Sequence, residues 1–291
     1  MDESKLYNAL LKSEQERREG SSSDGEARAE DQFRTERPFA GSRGKSSEWD
    51  GIVSELSDTP PTLYDASVTL GRIENPCPWT DAQLRARKIL YPEMPNKDIM
   101  NAYRELRITL RNKATDKQST IMLSSLGRDT SSVLTAFNLA ASYSMDAQTS
   151  ALLIDCDPYD TQLAELVSTT MAFGVTDFLA DGSLTVKHIL YPSGVDRLSV
   201  IPAGTHASSA VELFSGSRMS ELMHELRSRY PDRCIVINAP PFRDSTEARI
   251  LCRYADQVVL GVPFGEVNAE EIMDCVEALD SEKFAGLIFQ E

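Results

Sequence analysis

The chain has 291 residues, 41% of them hydrophobic, and a formal net charge of −15 with a pI near 4.7. That length allows one large or two small domains with a sizeable core. The acidic balance argues against nucleic acid, whose phosphate backbone is bound by clustered Lys and Arg, and against an anionic membrane surface.

No apolar run reaches the roughly 18 residues of a spanning helix, and no apolar h-region follows the N-terminus, so the cytoplasm is the expected compartment. Residues 1–18 read as a short amphipathic helix, with Leu6, Tyr7, Leu10 and Leu11 on one face and charges opposite. Lacking a core of its own, it reads as a partner-docking peptide or as a terminus touching its own domain. Residues 19–59 turn to Ser, Gly, Arg, Glu and Asp, too polar to offset chain entropy, and are expected to be a disordered linker. Residues 60–95, rich in Pro and holding Trp79, suggest an extended arm. A polar-apolar helix is predicted over residues 98–113.

From Ser119 the pattern alternates β and α with short connections, the signature of a mostly parallel sheet covered by helices on both faces. Predicted strands are 120–124, 151–155, 198–201, 234–238, 257–262 and 286–289. Predicted helices include 133–145, 209–230, 246–254 and 268–279. Crossovers should be right-handed, with any ligand crevice at the strands' C-terminal ends. Five cysteines, odd in number and without a C-x-x-C pair, are expected as reduced thiols. His188, His206 and His224 lack metal-ligand spacing.

Ser124 to Ala140 reads S-S-L-G-R-D-T-S-S-V-L-T-A-F-N-L-A. A working phosphate-binding loop, G-x-x-x-x-G-K-[ST], needs glycines for close backbone approach, a lysine for the β/γ oxygens and a hydroxyl for Mg²⁺. Aligning Ser124-Ser125 and Asn138-Leu139-Ala140 on the extended form of that motif puts Asp129 and Ser131 at two glycine positions. Ser132 then stands in the lysine position, and Val133 and Leu134 in the hydroxyl positions. An ordinary Ser-rich strand-to-helix turn is the competing reading. Downstream, A-L-L-I-D-C-D-P is an apolar strand ending in Asp155 and Asp157, and R-C-I-V-I-N-A-P-P a second, ending in Asn238 where a metal-site Asp is usual.

With A-Y-R-E-L-R-I-T-L (102–110), these passages resemble the bacterial tyrosine kinases, P-loop autokinases tied to capsule and exopolysaccharide export. V-I-P-A-G…E-L-F-S-G-S-R-M-S-E-L-M-H-E-L-R-S-R-Y-P-D-R (200–233) resembles the exosortase-associated branch. The resemblance spans about residues 96–290 and implies a three-layer α/β domain of the P-loop NTPase-like kind over 96–291. It also implies that Gly127, Asp129, Ser131, Ser132, Val133, Asp155, Asp157 and Asn238 form a vestigial nucleotide site. In the family a helical E-x-x-R-x-x-R pattern joins neighbouring subunits; here Asn101, Arg104 and Arg107 hold those positions, or simply form a solvated helix face. No tyrosine lies beyond Tyr254, so the family's usual phosphorylated C-terminal cluster is missing.

Because phosphoryl transfer is catalysed almost wholly by positioning and electrostatics, these losses predict a chain that is no enzyme, with no cofactor and no metal. The expected role is a scaffolding subunit recruited to the inner membrane by a polysaccharide co-polymerase, with an active kinase paralogue and further copies of itself as candidate partners. Two alternatives stand beside it. One is an active ATPase or tyrosine autokinase with a relocated cation from Lys113, Lys117 or Arg128; the other is a different small molecule in the old crevice.

Overall fold

The computed structural model describes residues 75–114, 118–127, 132–229 and 233–290. The expectations for residues 1–18, including Leu6, Tyr7, Leu10 and Leu11, for the linker 19–59, and for Asp129 and Ser131 lie outside the described residues.

Among the described residues seven strands form one sheet: β1 (Thr120–Ser125), β2 (Ser150–Asp155), β3 (Tyr191–Pro192), β4 (Leu198–Ile201), β5 (Arg233–Ala239), β6 (Gln257–Pro263) and β7 (Phe284–Gln290). Their order is β3-β4-β2-β5-β1-β6-β7. Every pairing is parallel except the antiparallel step from β3 to β4. The two-residue β3 has no sequence signal, and its Pro192 is tolerable because the strand lies at the sheet edge.

The helices are α1 (Asp81–Ala86), α2 (Lys97–Lys113), α3 (Val133–Ser144), α4 (Leu163–Leu166), α5 (Val175–Ala180), α6 (Val186–Ile189), α7 (Ala210–Ser215), α8 (Ser217–Arg229), α9 (Thr246–Leu251) and α10 (Ala269–Glu277). The single helix predicted over 209–230 is two helices, α7 and α8. Gly216 lies between them in extended conformation (φ −69°, ψ 161°), the weak helix former at which the chain breaks.

The central strands are buried on both faces, so they read as continuous apolar runs rather than alternating ones. Successive residues nonetheless serve different layers. Ile121, Leu123, Leu153 and Val236 pack with Met100, Leu110, Phe137 and Leu90 on one side. Met122, Leu152, Ile154 and Ile237 pack with Phe178, Phe214, Leu222 and Leu251 on the other. This is the predicted α/β sandwich of three layers.

Residues 75–95 run along the first layer and are not wholly extended. Thr80 and Gln83 form a reciprocal capping box that starts α1. Lys88, at φ 57°, ends it in the left-handed region, with the Ile89 N–H returning to the Leu84 carbonyl at 2.9 Å. Trp79 donates its ring N–H to Leu166 O at 3.0 Å, and the Arg87 guanidinium stacks 3.8 Å over the same ring. Asn138 then clamps the arm from α3: its Oδ1 accepts the Leu90 N–H at 2.9 Å and its amide donates to Lys88 O at 3.0 Å. The asparagine of N-L-A is therefore a strut for the arm. All five cysteines are free thiols.

Candidate functional site at the C-terminal strand ends

The parallel register sets Leu123 of β1 and Asp155 of β2 on either side of Asn238 of β5, so the three strands end at one level facing the start of α3. Ser132 precedes α3, but its hydroxyl caps no helix N–H. It donates instead to Asn238 Oδ1 at 2.6 Å, and the Asn238 amide donates to Asp155 Oδ1 at 2.8 Å. Ser132, Asn238 and Asp155 are all buried, so this is an internal relay in which each polar group has a partner.

Around the relay the backbone is held tightly. Ser124 Oγ donates to Pro240 O at 2.5 Å, and the Gly127 N–H to Ser125 Oγ at 3.1 Å. The Leu126 N–H reaches Gly261 O and the Phe242 N–H reaches Ser125 O, each at 2.8 Å. Val133, in the expected hydroxyl position, is buried in the apolar layer beneath α3.

The carboxylates are perturbed in a common direction. Burial pushes Asp155 up to about 7, against the hydrogen bonds from Asn238 and from the Asp157 N–H, with the charges of Asp157 and Asp160 adding to the rise. Asp157 is pushed up to about 6, again mainly by burial, with its bond from the Tyr159 N–H opposing and Asp160 and Glu247 reinforcing. Near neutrality Asp155 can therefore carry or release a proton.

Sequence reading missed Tyr159 and Glu247. The Tyr159 hydroxyl, on a largely exposed ring, donates to Glu247 Oε1 at 2.7 Å, and Ser245 Oγ donates to Glu247 Oε2 at 2.8 Å. Burial pushes Glu247 up, yet the bonds from Tyr159, its own backbone N–H and Ser245 outweigh it and leave the carboxyl below its usual value. A contact across 88 residues between a loop and the first turn of α9 has no local sequence signal.

The other candidate residues are not together at this site. Asn101 and Arg104 are exposed on α2, joined by a 3.3 Å bond from the Arg104 guanidinium to Asn101 Oδ1. Arg107 turns inward and donates to the Ser142 carbonyl. Lys113 is engaged away from the relay, its ammonium 2.7 Å from Ala285 O at the start of β7. Lys117 and Arg128 lie outside the described residues. Among the described residues no cluster of three or more His, Cys, Asp or Glu could hold a metal ion. What the site does offer a phosphate ligand is the N-terminus of α3 and, for an accompanying cation, the Asp155 and Asp157 carboxylates.

Comparison with known proteins decides between the readings. Over 187 residues the chain is 27% identical to the tyrosine-protein kinase wzc of Salmonella typhimurium, covering 64% of this chain and 26% of that one. Over 175 residues it is 27% identical to the tyrosine-protein kinase CpsD of Streptococcus pneumoniae serotype 4, covering 60% and 74%. Its homologues are bacterial tyrosine-protein kinases. The solved VpsO kinase domain superposes with a TM-score of 0.56 at 26% identity, covering 67% of this chain and 98% of that one. The fold is thus P-loop NTPase-like, as predicted.

The chain spans about a quarter of the length of wzc. No family model matches it. The expectation that the chain is no enzyme is overturned, because the homologues are named as kinases and the matching solved domain is a kinase domain. That expectation leaned on a loop whose residues 128–131 are not among the described ones, and on counting lost side chains while the scaffold that positions a phosphate was retained. Among the described residues no helix is long and apolar enough to cross a membrane.

Proposed function

We propose that the chain is a divergent ATP-using tyrosine autokinase or ATPase of capsule or exopolysaccharide export, of the exosortase-associated kind, with its catalytic cation relocated. Its partner in this reading is a membrane polysaccharide co-polymerase that draws it to the inner membrane, with a kinase paralogue or further copies of itself alongside. The observation that carries the reading is Asp155 at the end of β2, with Asp157 two residues on, linked through Asn238 to Ser132 before α3 in a chain homologous to tyrosine-protein kinases.

Bound ATP would supply the phosphoryl group, with its divalent ion held by Asp157 and Asp155. The chain's own part is electrostatic. In this reading the first N–H groups of α3 would meet phosphate oxygens, and Ser132 and Asn238 hold Asp155 in one orientation. Ser132 itself cannot neutralise phosphate charge. Since Lys113 is bonded to Ala285 O, the relocated cation in this reading is Arg128, which directly follows Gly127 in the sequence of the loop. A guanidinium there can grip phosphate oxygens through two N–H groups at once.

Incubation of the full chain with γ-labelled ATP and Mg²⁺ should place label on a tyrosine or release labelled phosphate. Arg128→Ala should lower the rate by about a hundredfold, the scale of losing one transition-state donor. A wild-type chain that neither labels itself nor turns over ATP overturns the proposal, and an unaffected Arg128→Ala variant removes Arg128 from its role.

A further inference from the structure

We propose that a cleft beside α9, separate from the strand ends, binds a small soluble organic phosphate. The cleft has a volume of about 310 Å³ and lies between the segment Thr246–Tyr254 and the connection from α10 to β7. That is room for a compact ring bearing one phosphate, at the lower limit of small-molecule sites. Its walls carry Arg249, Arg253 and Lys283 against a single carboxylate, Asp280. In a chain of net charge −15, three cations around one cavity are a local arrangement opposite in sign to the whole.

Each cation has donors to give. Lys283 Nζ donates to Cys252 O at 2.9 Å and to Arg253 O at 3.4 Å, which ties one wall to the other and leaves one of its three N–H groups. Arg253 uses Nε on Ile250 O at 3.3 Å, leaving the outer guanidinium nitrogens. Arg249 is exposed and makes no hydrogen bond or ion pair among the described residues. Asp280 is already occupied with its own turn, accepting the Glu282 N–H at 3.1 Å. Like charges grouped this way repel, and a bound anion removes that repulsion.

The floor is of the opposite character. Phe242 and Leu279 are buried apolar side chains that line the cavity. A ligand with an apolar body and a dianionic end satisfies both halves; inorganic phosphate satisfies the rim alone. None of the lining residues belongs to the Ser132, Asn238 and Asp155 relay, so the carboxylates there do not line this cavity.

Phenyl phosphate is a suitable probe for the full chain, followed by amide NMR. Saturable shifts should gather at residues 249–253 and 278–283, with inorganic phosphate binding more weakly. Reversing both exposed arginines, Arg249→Glu with Arg253→Glu, should weaken phenyl phosphate by about tenfold or more, while Lys187→Glu, an exposed charge reversal outside the cleft, leaves it unchanged. Absent shifts at millimolar probe, shifts centred on β1, β2 and β5, equal binding by the Arg249→Glu, Arg253→Glu chain, or equal weakening in Lys187→Glu would each overturn the proposal.

Discussion

At the ends of β1, β2 and β5 the chain's polar groups are bonded to one another and burial drives two carboxyls toward neutrality; beside α9 three cations face an open cavity with donors unused. The first region is a stability element as much as a site, because altering Asn238 removes a buried hydrogen bond from each of its two partners. In the second, the exposed rim of Arg249 and Arg253 contributes little to holding the fold and is free to answer a ligand. Two parts of one domain thus handle charge by opposite routes, inward satisfaction and outward availability.

The largest test of that contrast is Asn238→Ala. It removes the Asn238 bond from the buried Ser132 hydroxyl, which keeps only Ala239 O at 3.4 Å, and from the buried Asp155 carboxyl, which keeps the Asp157 N–H at 3.1 Å, at about 1–3 kcal/mol for each bond lost. Urea unfolding should therefore show a loss of roughly 2–5 kcal/mol. Arg249→Ala, on the exposed rim, should stay within about 0.5 kcal/mol. Equal losses for the two variants would erase the distinction.

A smaller effect separates the regions by pH. Asp155, raised to about 7 in the folded chain, binds its proton there at pH values where the unfolded carboxyl has released it. Its contribution is therefore fully present below about pH 4 and is lost as pH rises toward 7, with a slope of at most about 1.4 kcal/mol per pH unit. Asp157, raised to about 6, acts in the same sense over a narrower window. Asp146, lowered chiefly by the Gln148 N–H, runs the other way, so the informative quantity is the difference between wild type and Asp155→Asn. That difference should favour the variant progressively between pH 5 and 8, by chemical denaturation at stepped pH. A flat difference would show that Asp155 titrates as an ordinary carboxyl.

What the sequence could reveal follows from the range over which each feature is encoded. Strands β1, β2, β4, β5 and β6 are continuous apolar runs, legible within a few residues of their bounds, and Asn96 and Asn268 mark helix starts by local capping bonds. The positions of Ser132, Asp155 and Asn238 at strand and helix ends were equally legible, since parallel strands bring their C-termini together. Their hydrogen bonds were not. The Ser132 to Asn238 bond spans 106 residues, and the Tyr159 to Glu247 bond 88, so nothing nearby in the chain announces either. The basic cleft was illegible for the same reason, as Arg249, Arg253 and Lys283 come from two separate elements in an acidic chain.

The smallest effect concerns Tyr159, which stands at the border between the two kinds of region. Its ring is largely exposed, yet its hydroxyl is pushed up to about 12, first by donating to Glu247 and then by burial. Tyr159→Phe removes one donor from Glu247 and leaves Ser245 and the Glu247 N–H in place. Because the Tyr159 ring is largely exposed and the buried Glu247 carboxyl keeps its other donors, stability should change by no more than about 0.5 kcal/mol. The carboxyl should respond more clearly: with one of its opposing bonds gone, burial weighs more and the Glu247 pKa rises, which side-chain NMR titration would read directly. An unmoved Glu247 would mean that Ser245 and the backbone already hold it, and Tyr159 would then belong with the open residues of the surface.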